Sequence, residues 1–396
     1  MRLSRKYPSF SAWDFQDRPP IFKTCDVLVF IGACYSRVMH FLIYPTERCN
    51  LQCRYCDTPQ EKACQVKDRQ YDIKALVDFL KQDPKPGVTF YGGEPTLDVD
   101  FMVEVMDRTR LNYTSMVTNT FFLDKLPIRY IKRMDMISMS IDGSKDTTDF
   151  NRGQGVHDMV IRRARWLKEE VGFTGLTTAR MTVALDTDIE KEVKYLASTG
   201  LFDLVHWQLD VFHQYSLDKT DEYEAWFEQV YNPGISRLVE WWADEILKSG
   251  KVHRLVPFIG VMYDLLTGRK ESNIRCGAGS TFWVINTKGE VYVCPVLRDL
   301  EEFKVSDITR PITDIKPQFL LKSPCTECDI FRVCGGRCIV SNHYARDKPI
   351  FKMVCQTVRH LVLELQKVRP EIEAKIRAGK LDVEKFNYFF EHEVIP

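Results

Sequence analysis

The sequence predicts an α/β fold: one parallel sheet, open or partly closed, with helices packed on it and a cysteine-rich module behind it. Three observations carry that expectation. From His40 onward, short β-rich apolar runs alternate with stretches of helical period. Six such runs in succession imply right-handed βαβ units and therefore one parallel sheet. The 13 cysteines of the 396-residue chain are also grouped, three within 49–56 and seven between 276 and 355.

The strand runs are HFLIY (40–44), GVTFY (87–91), TSMVTN (114–119), MISMSID (136–142), ARMTVAL (179–185) and LVHWQLD (204–210). Helical stretches at 71–83, 98–109, 123–134, 156–172 and 188–199 lie between them. The fourth places Val156, Met159, Val160, Ala164 and Leu167 on one face. After about Tyr215 the chain turns helical and aromatic, with an expected break at Pro233-Gly234; packing or a lid accounts for Trp226, Trp241 and Trp242. The stretch 274–355 has thin apolar content and calls for bound metal to hold it together. A helical tail is expected from about Phe351 to the end. The expected divisions are an extension at 1–38, a core at 39–215, a helical linker at 216–273, a cysteine module at 274–360 and a tail at 361–396. The extension has no clear period, and MHFLIYPTERC from Met39 reads like a protein start, so 1–38 is expected to be loose or a start-site artefact.

Lys plus Arg and Asp plus Glu balance at 55 each, so no basic field points to nucleic acid. No apolar run reaches the roughly 18–20 residues that span a bilayer. With no export signal, the chain is expected in the cytosol, where clustered thiols bind metal more often than they pair.

The first cysteine group, Cys49-x3-Cys53-x2-Cys56, directly follows the first strand. Structural zinc wants four ligands in a closed tetrahedron, and no fourth cysteine or histidine stands nearby at a usable spacing. Three thiolates on a [4Fe–4S] cube leave one iron open. This loop, with Tyr55 before its last cysteine, resembles that of the radical S-adenosylmethionine (SAM) superfamily. YGGEPTL (91–97), VTNT (117–120) and SMSIDGSKDTTDFNRG (138–153) resemble further motifs of that family, each at a strand's carboxyl end. The resemblance implies a partial (β/α)6 barrel in which SAM chelates the open iron. Tyr55, Gly92, Gly93, Glu94, Asn119, Ser140, Asp142 and Arg152 would then be the cofactor contacts. Glu94 would accept from the amino group, and Ser140 and Asp142 would meet the ribose or carboxylate. Arg152 would pair with the carboxylate.

The second group, Cys276, Cys294, Cys325, Cys328, Cys334, Cys338 and Cys355, is similar to the seven-cysteine SPASM module of radical SAM enzymes that modify peptides. By that resemblance Cys325, Cys328, Cys334 and Cys355 hold one auxiliary [4Fe–4S] cluster. Cys276, Cys294 and Cys338 hold another, with an open iron. Sulfatase-maturing members carry a further cysteine where Phe282 stands and an aspartate base where Pro295 stands, and both departures count against that activity. Asp210, at the end of the sixth strand, is the candidate acid or base. The resemblance further implies reductive cleavage of SAM to a 5′-deoxyadenosyl radical, an electron donor such as ferredoxin or flavodoxin, and oxidative modification, such as crosslinking, of a peptide or protein side chain. The finer likeness is to peptide-modifying SPASM enzymes described from archaea. The other readings are the same machinery acting on a small molecule or cofactor precursor, and a zinc-stabilised binding protein without catalysis.

Overall fold

The computed structural model describes residues 39–56, 68–211, 218–268, 274–318, 321–344, 348–387 and 395–396. The expected extension at 1–38, with Cys25 and Cys34, and also Cys64, lie outside the described residues. Six parallel strands follow in chain order: β1 (His40–Ile43), β2 (Gly87–Phe90), β3 (Tyr113–Thr118), β4 (Met136–Ser140), β5 (Leu176–Val183) and β6 (Leu204–Leu209). The expected alternation of strand and helix is present throughout this half.

Sequence reading did not foresee how the sheet continues. β7 (Phe282–Ile285) pairs in parallel with β1, His40 opposite Phe282 and Ile43 opposite Ile285. β8 (Glu290–Tyr292) and β9 (Lys304–Asp307) then add antiparallel, giving the order β6-β5-β4-β3-β2-β1-β7-β8-β9. The cysteine module therefore shares a sheet with the core. These strands are three or four residues long and lie among turns, outside the strand–helix alternation that marks β1–β6 in sequence.

Strand side chains alternate between two faces. Phe41, Phe90 and Trp207 point to the helices, where their rings meet Phe79, Phe101 and Phe258 at centroid distances of 5.5, 6.5 and 5.5 Å. The opposite face is polar and satisfied by neighbours: His40 Nε2 lies 2.7 Å from Thr89 Oγ1, which lies 2.6 Å from Ser115 Oγ. On β5 and β6, Arg180 donates to His206 Nδ1 at 3.3 Å and to Gln208 Oε1 at 3.3 Å.

Helices begin where an aspartate can accept the first free amides. Asp72 caps α1 (Ile73–Leu80), and Asp98 caps α2 (Val99–Arg108). The helix expected over 123–134 is cut to a short turn at Leu123–Lys125 and to α3 (Ile128–Ile131). Pro127 is the cause: it pushes Leu126 to an extended ψ of 121°. After α4 (Lys145–Arg152), α5 (Val156–Trp166) buries Val156, Val160 and Ala164, while Met159 is only half-buried. Asp188 then caps α6 (Ile189–Ser198).

The expected break at Pro233-Gly234 does not occur. A π turn over Phe227–Tyr231 joins the helix Thr220–Trp226 to Asn232–Ser249, and Pro233 falls in the first turn of the latter, where its missing N–H does least harm. A helix over Val256–Thr267, buried on nearly every side, follows. Packing holds for the tryptophans rather than a lid: Trp226 Nε1 donates to the Thr187 carbonyl at 3.2 Å and Trp242 Nε1 to that of His253 at 2.8 Å, while half-buried Trp241 stacks on His253 at 4.7 Å. Among the described residues, the tail's long helix Pro349–Arg377 ends at Arg377; Gly379, at φ +67°, turns the chain away, and one short helical turn follows at Val383–Phe386. Phe386 then seats its ring 5.8 Å from Trp242. Among the described residues, no helix is long and apolar enough to cross a membrane.

Trp242 is fully buried between Phe258 and Phe386. Trp242→Ala is expected to cost about 3–5 kcal/mol, read as a lower urea midpoint in anaerobic circular dichroism.

Candidate metal centres and their surroundings

The first cysteine loop leaves β1 and runs directly against the turn after β2. Gly93 N donates to Thr46 O at 3.1 Å and Glu94 N to Arg48 O at 2.8 Å. There is no room for side chains in this contact. A Cβ on Gly92, at φ +116°, would fall 2.3 Å from Thr46 O, and one on Gly93 would fall 2.1 Å from Arg48 O. The backbone that the two glycines admit is thus that of the cysteine loop itself.

Glu94 is buried, and its carboxylate ties the ends of β2 and β3 together. Oε1 accepts from Thr96 Oγ1 at 2.5 Å and Thr118 Oγ1 at 2.7 Å, and Oε2 accepts from Asn119 N at 2.7 Å. Burial raises its pKa, and these hydrogen bonds oppose the rise. Asn119 passes the link on to the loop: its amide donates to Asn50 Oδ1 at 2.8 Å and lies 3.7 Å from Cys49 Sγ. Glu94 and Asn119 therefore position the loop in this structure, whatever else they touch.

The far side of the loop is held by a buried ion pair. Arg152, at the end of α4, donates Nε to Asp142 Oδ2 at 3.0 Å and Nη2 to Asp142 Oδ1 at 2.8 Å. Asp142 also accepts from Thr182 N at 2.9 Å and from the Tyr55 hydroxyl, and the Arg152 guanidinium lies 5.4 Å from the Tyr55 ring centroid. Burial pushes the Tyr55 phenol well up, and the Arg152 charge resists. The Arg152 fork is thus spent on Asp142. Ser140 ends β4 in register with Arg180, partly buried on the polar face. Asp210 follows β6 directly and is buried, its amide bonded to Val183 O at 3.0 Å.

Ten cysteines are described, and none is in a disulfide. They fall into three separate sets of neighbours: Cys49, Cys53 and Cys56; Cys276, Cys294 and Cys338; and Cys325, Cys328, Cys334 and Cys355. Burial pushes Cys53 and Cys355 up to about 11 and Cys334 to about 12. Thiols so placed are neutral at pH 7 until a metal ionises them. The third set surrounds a cavity of about 130 Å³. A tetrathiolate zinc ion, with each sulfur about 2.3 Å away, leaves no such void. Among the described residues, no three His, Cys, Asp or Glu side chains converge as a single ion demands. The donor sets fit a bulkier, multi-iron group.

Two buried pairs that sequence reasoning missed join the parts. Arg298, four residues after Cys294, donates to Glu47 Oε1 at 3.3 Å, and its guanidinium lies 5.0 Å from the Tyr44 ring centroid. Arg275, beside Cys276, is buried against Asp264 and donates to Val333 O at 2.8 Å, next to Cys334. Partners 251 residues apart leave no local sequence signal. Phe282 and Pro295 also have structural places: Phe282 is buried in β7, its ring 6.0 Å from His40, and Pro295 opens a short turn directly after Cys294.

Residues 43–219 match the family model described as the radical SAM superfamily, so this chain carries a radical SAM domain. Several of the proteins it is similar to are maturases. The chain is similar to the cysteine-type anaerobic sulfatase-maturating enzyme of Clostridium perfringens, 24% identical over 76% of this chain and 88% of that protein. It is also similar to the mycofactocin maturase MftC of Mycolicibacterium smegmatis, 24% identical over 76% and 77% of the two chains. In fold it resembles anSMEcpe with bound AdoMet and the Cp18Cys peptide, at a TM-score of 0.68 and 20% identity over 85% of this chain and 99% of that one. Streptococcus suis SuiB bound to its precursor peptide SuiA follows at a TM-score of 0.56 and 18% identity, over 77% and 73%.

Two outcomes are expected from this geometry. Gly93→Ala should displace the cysteine loop and lower the iron bound there, read as a deficit of up to about four irons per chain after anaerobic reconstitution, relative to the parent. His206 is buried beside Arg180, and burial, then that charge, hold its pKa well below the ordinary 6.5. The unfolded chain takes a proton there that the folded chain refuses, so this contribution to stability is lost as pH falls below about 6.5. Unfolding midpoints of His206→Gln between pH 7.5 and 5.5 should fall less steeply than those of the parent.

Proposed function

We propose that the chain is a peptide maturase: it binds SAM at the first cysteine set and oxidatively modifies a side chain of a ribosomally made peptide or protein. The observation that supports it most directly is the three-thiol loop at the carboxyl end of β1, held against Gly92, Gly93 and Glu94. Strand carboxyl ends are where sheets of this kind gather their ligands.

Cys49, Cys53 and Cys56 would hold a [4Fe–4S] cluster with one open corner for SAM. Bound together, the cluster and SAM supply a 5′-deoxyadenosyl radical when an electron arrives from a ferredoxin- or flavodoxin-like donor. The chain's own contribution is placement. Glu94 and Asn119 fix the loop on β2 and β3, and Asp142 and Arg152 fix it on β4 and α4. Ser140 and the polar face of β4–β6 then line the approach for SAM and substrate. Asp210, buried at the end of β6, is the candidate proton acceptor.

In the module, Cys325, Cys328, Cys334 and Cys355 would hold one auxiliary cluster completely. Cys276, Cys294 and Cys338 would hold a second with a corner left for the substrate, a non-cysteine side chain or water. Phe282 and Pro295, in place of the cysteine and aspartate of sulfatase-maturing enzymes, point to a different product. A substrate peptide suits the fold, because peptides are bound by the structural neighbours that share it.

The test is anaerobic incubation with SAM, dithionite and short peptides encoded beside the gene, followed by mass spectrometry. Loss of two hydrogens per event together with deoxyadenosine is expected. The triple variant Cys49→Ala, Cys53→Ala, Cys56→Ala should make neither, while keeping about eight of about twelve irons. A colourless zinc protein that leaves SAM intact would sink the proposal.

A further inference from the structure

Arg337 occupies a position that neither loop closure nor surface charge explains. It ends a run of three residues in the left-handed region: Gly335 at φ +63°, Gly336 at +78° and Arg337 at +58°. The glycines adopt this conformation freely, but an arginine, with its Cβ, does so at a cost. The bend turns the side chain inward, where Arg337 is only 4% exposed. There it lines the same cavity as Cys325, Cys328, Cys334 and Cys355. Its Nη1 donates to Ser341 Oγ at 2.7 Å, which holds the head in place.

Arg337 stands between the two auxiliary sets. It shares its cavity with Cys334 and Cys355 of the four-cysteine set, and it directly precedes Cys338 of the three-cysteine set. A second donor acts on one set alone: buried Asn342 points its amide at Cys325 Sγ, 3.2 Å away. Arg359 is also near, 3.8 Å from Cys328 Sγ, but it is half-exposed and its charge is matched by Asp329.

Adding an electron to a thiolate-held cluster adds negative charge in an enclosed space of low dielectric. A fixed cation lowers the cost of that charge, and an N–H directed at a ligand sulfur withdraws part of it. We infer that Arg337 raises the reduction potential of both auxiliary clusters, and that Asn342 raises that of the four-cysteine cluster alone. Arg337 is a tuning residue, distinct from any ligand. Its consequence is directional: one electron leaving an oxidised substrate is held by the module instead of returning. The inference rests on the proposed reading of the three cysteine sets.

The experiment uses the full chain with Cys49, Cys53 and Cys56 changed to Ala, so that only the auxiliary signals remain. After anaerobic reconstitution, EPR-monitored redox titration is run on this parent and on Arg337→Met, Arg337→Lys, Asn342→Leu and Arg359→Gln. Both midpoints should move negative in Arg337→Met and return most of the way in Arg337→Lys. In Asn342→Leu only one should move, and in Arg359→Gln the shift should be the smallest. Unmoved midpoints in Arg337→Met and Asn342→Leu at full iron content would overturn the inference. Should Arg337→Met lose its iron, the charge-removing Arg337→Gln and Asn342→Leu decide by the same midpoints. A parent that binds no iron would instead overturn the reading beneath it.

Discussion

The site depends on a backbone contact too tight for any side chain. The loop that bears Cys49, Cys53 and Cys56 has no secondary structure of its own to hold three sulfurs in place. It gains rigidity by lying on Gly92 and Gly93, where a Cβ would sit 2.3 or 2.1 Å from a carbonyl oxygen of the loop. Glu94 completes the clamp, because its two oxygens gather donors from the turn after β2 and from the end of β3. A ligand set built this way is preorganised: the strands fix the turn and the turn fixes the thiols. The Gly-Gly-Glu motif, which reads in sequence as a ligand contact, serves the geometry of the metal loop before it serves any substrate.

β1 extends the same constraint to the cysteine module. It lies inside the sheet, with β2 on one side and β7 on the other, so one strand sets the register of both cysteine groups. Buried ion pairs reinforce the junction. Glu47 sits two residues before Cys49, and its partner Arg298 four residues after Cys294. Arg275 joins the helix Val256–Thr267 to the carbonyl beside Cys334. Pairs of this kind add little net stability, since desolvation offsets much of their attraction. Their use here is specificity: a slipped register would strand a charge in the interior, and that penalty selects one arrangement of the three thiol sets.

The parallel half of the fold was legible in sequence because its short apolar strand runs alternate with helical stretches in a repeated rhythm. The grouping of the cysteines was legible too, since ligand spacing within a loop is a local property. What stayed hidden is non-local or too short. β7–β9 are brief strands among turns, and their pairing with β1 spans more than two hundred residues of chain. The helix over 123–134 was over-read because apolar period outweighed Pro127. The break at Pro233 was over-read for the opposite reason, since a π turn placed the proline where a helix tolerates it. Arg337 was invisible as well: nothing in GGRC tells a buried guanidinium from a solvated one.

Burial of the thiols also shapes how the molecule holds together. Cys294, Cys325 and Cys334 are buried, and burial drives the Cys294 and Cys334 thiols well away from ionisation. A module that confines thiols in this way cannot rest on them as ordinary polar groups. Either they stay neutral and act as small apolar side chains, or a multivalent cation ionises them and is held in return. The four-cysteine set lines a cavity of about 130 Å³ together with Arg337, an arrangement that suits the second solution. That space, the cation of Arg337 at its wall and the amide of Asn342 directed at a sulfur make one consistent arrangement. Each would be unfavourable in an empty apolar core, and each would become favourable around the proposed body of iron and sulfide, which carries net negative charge.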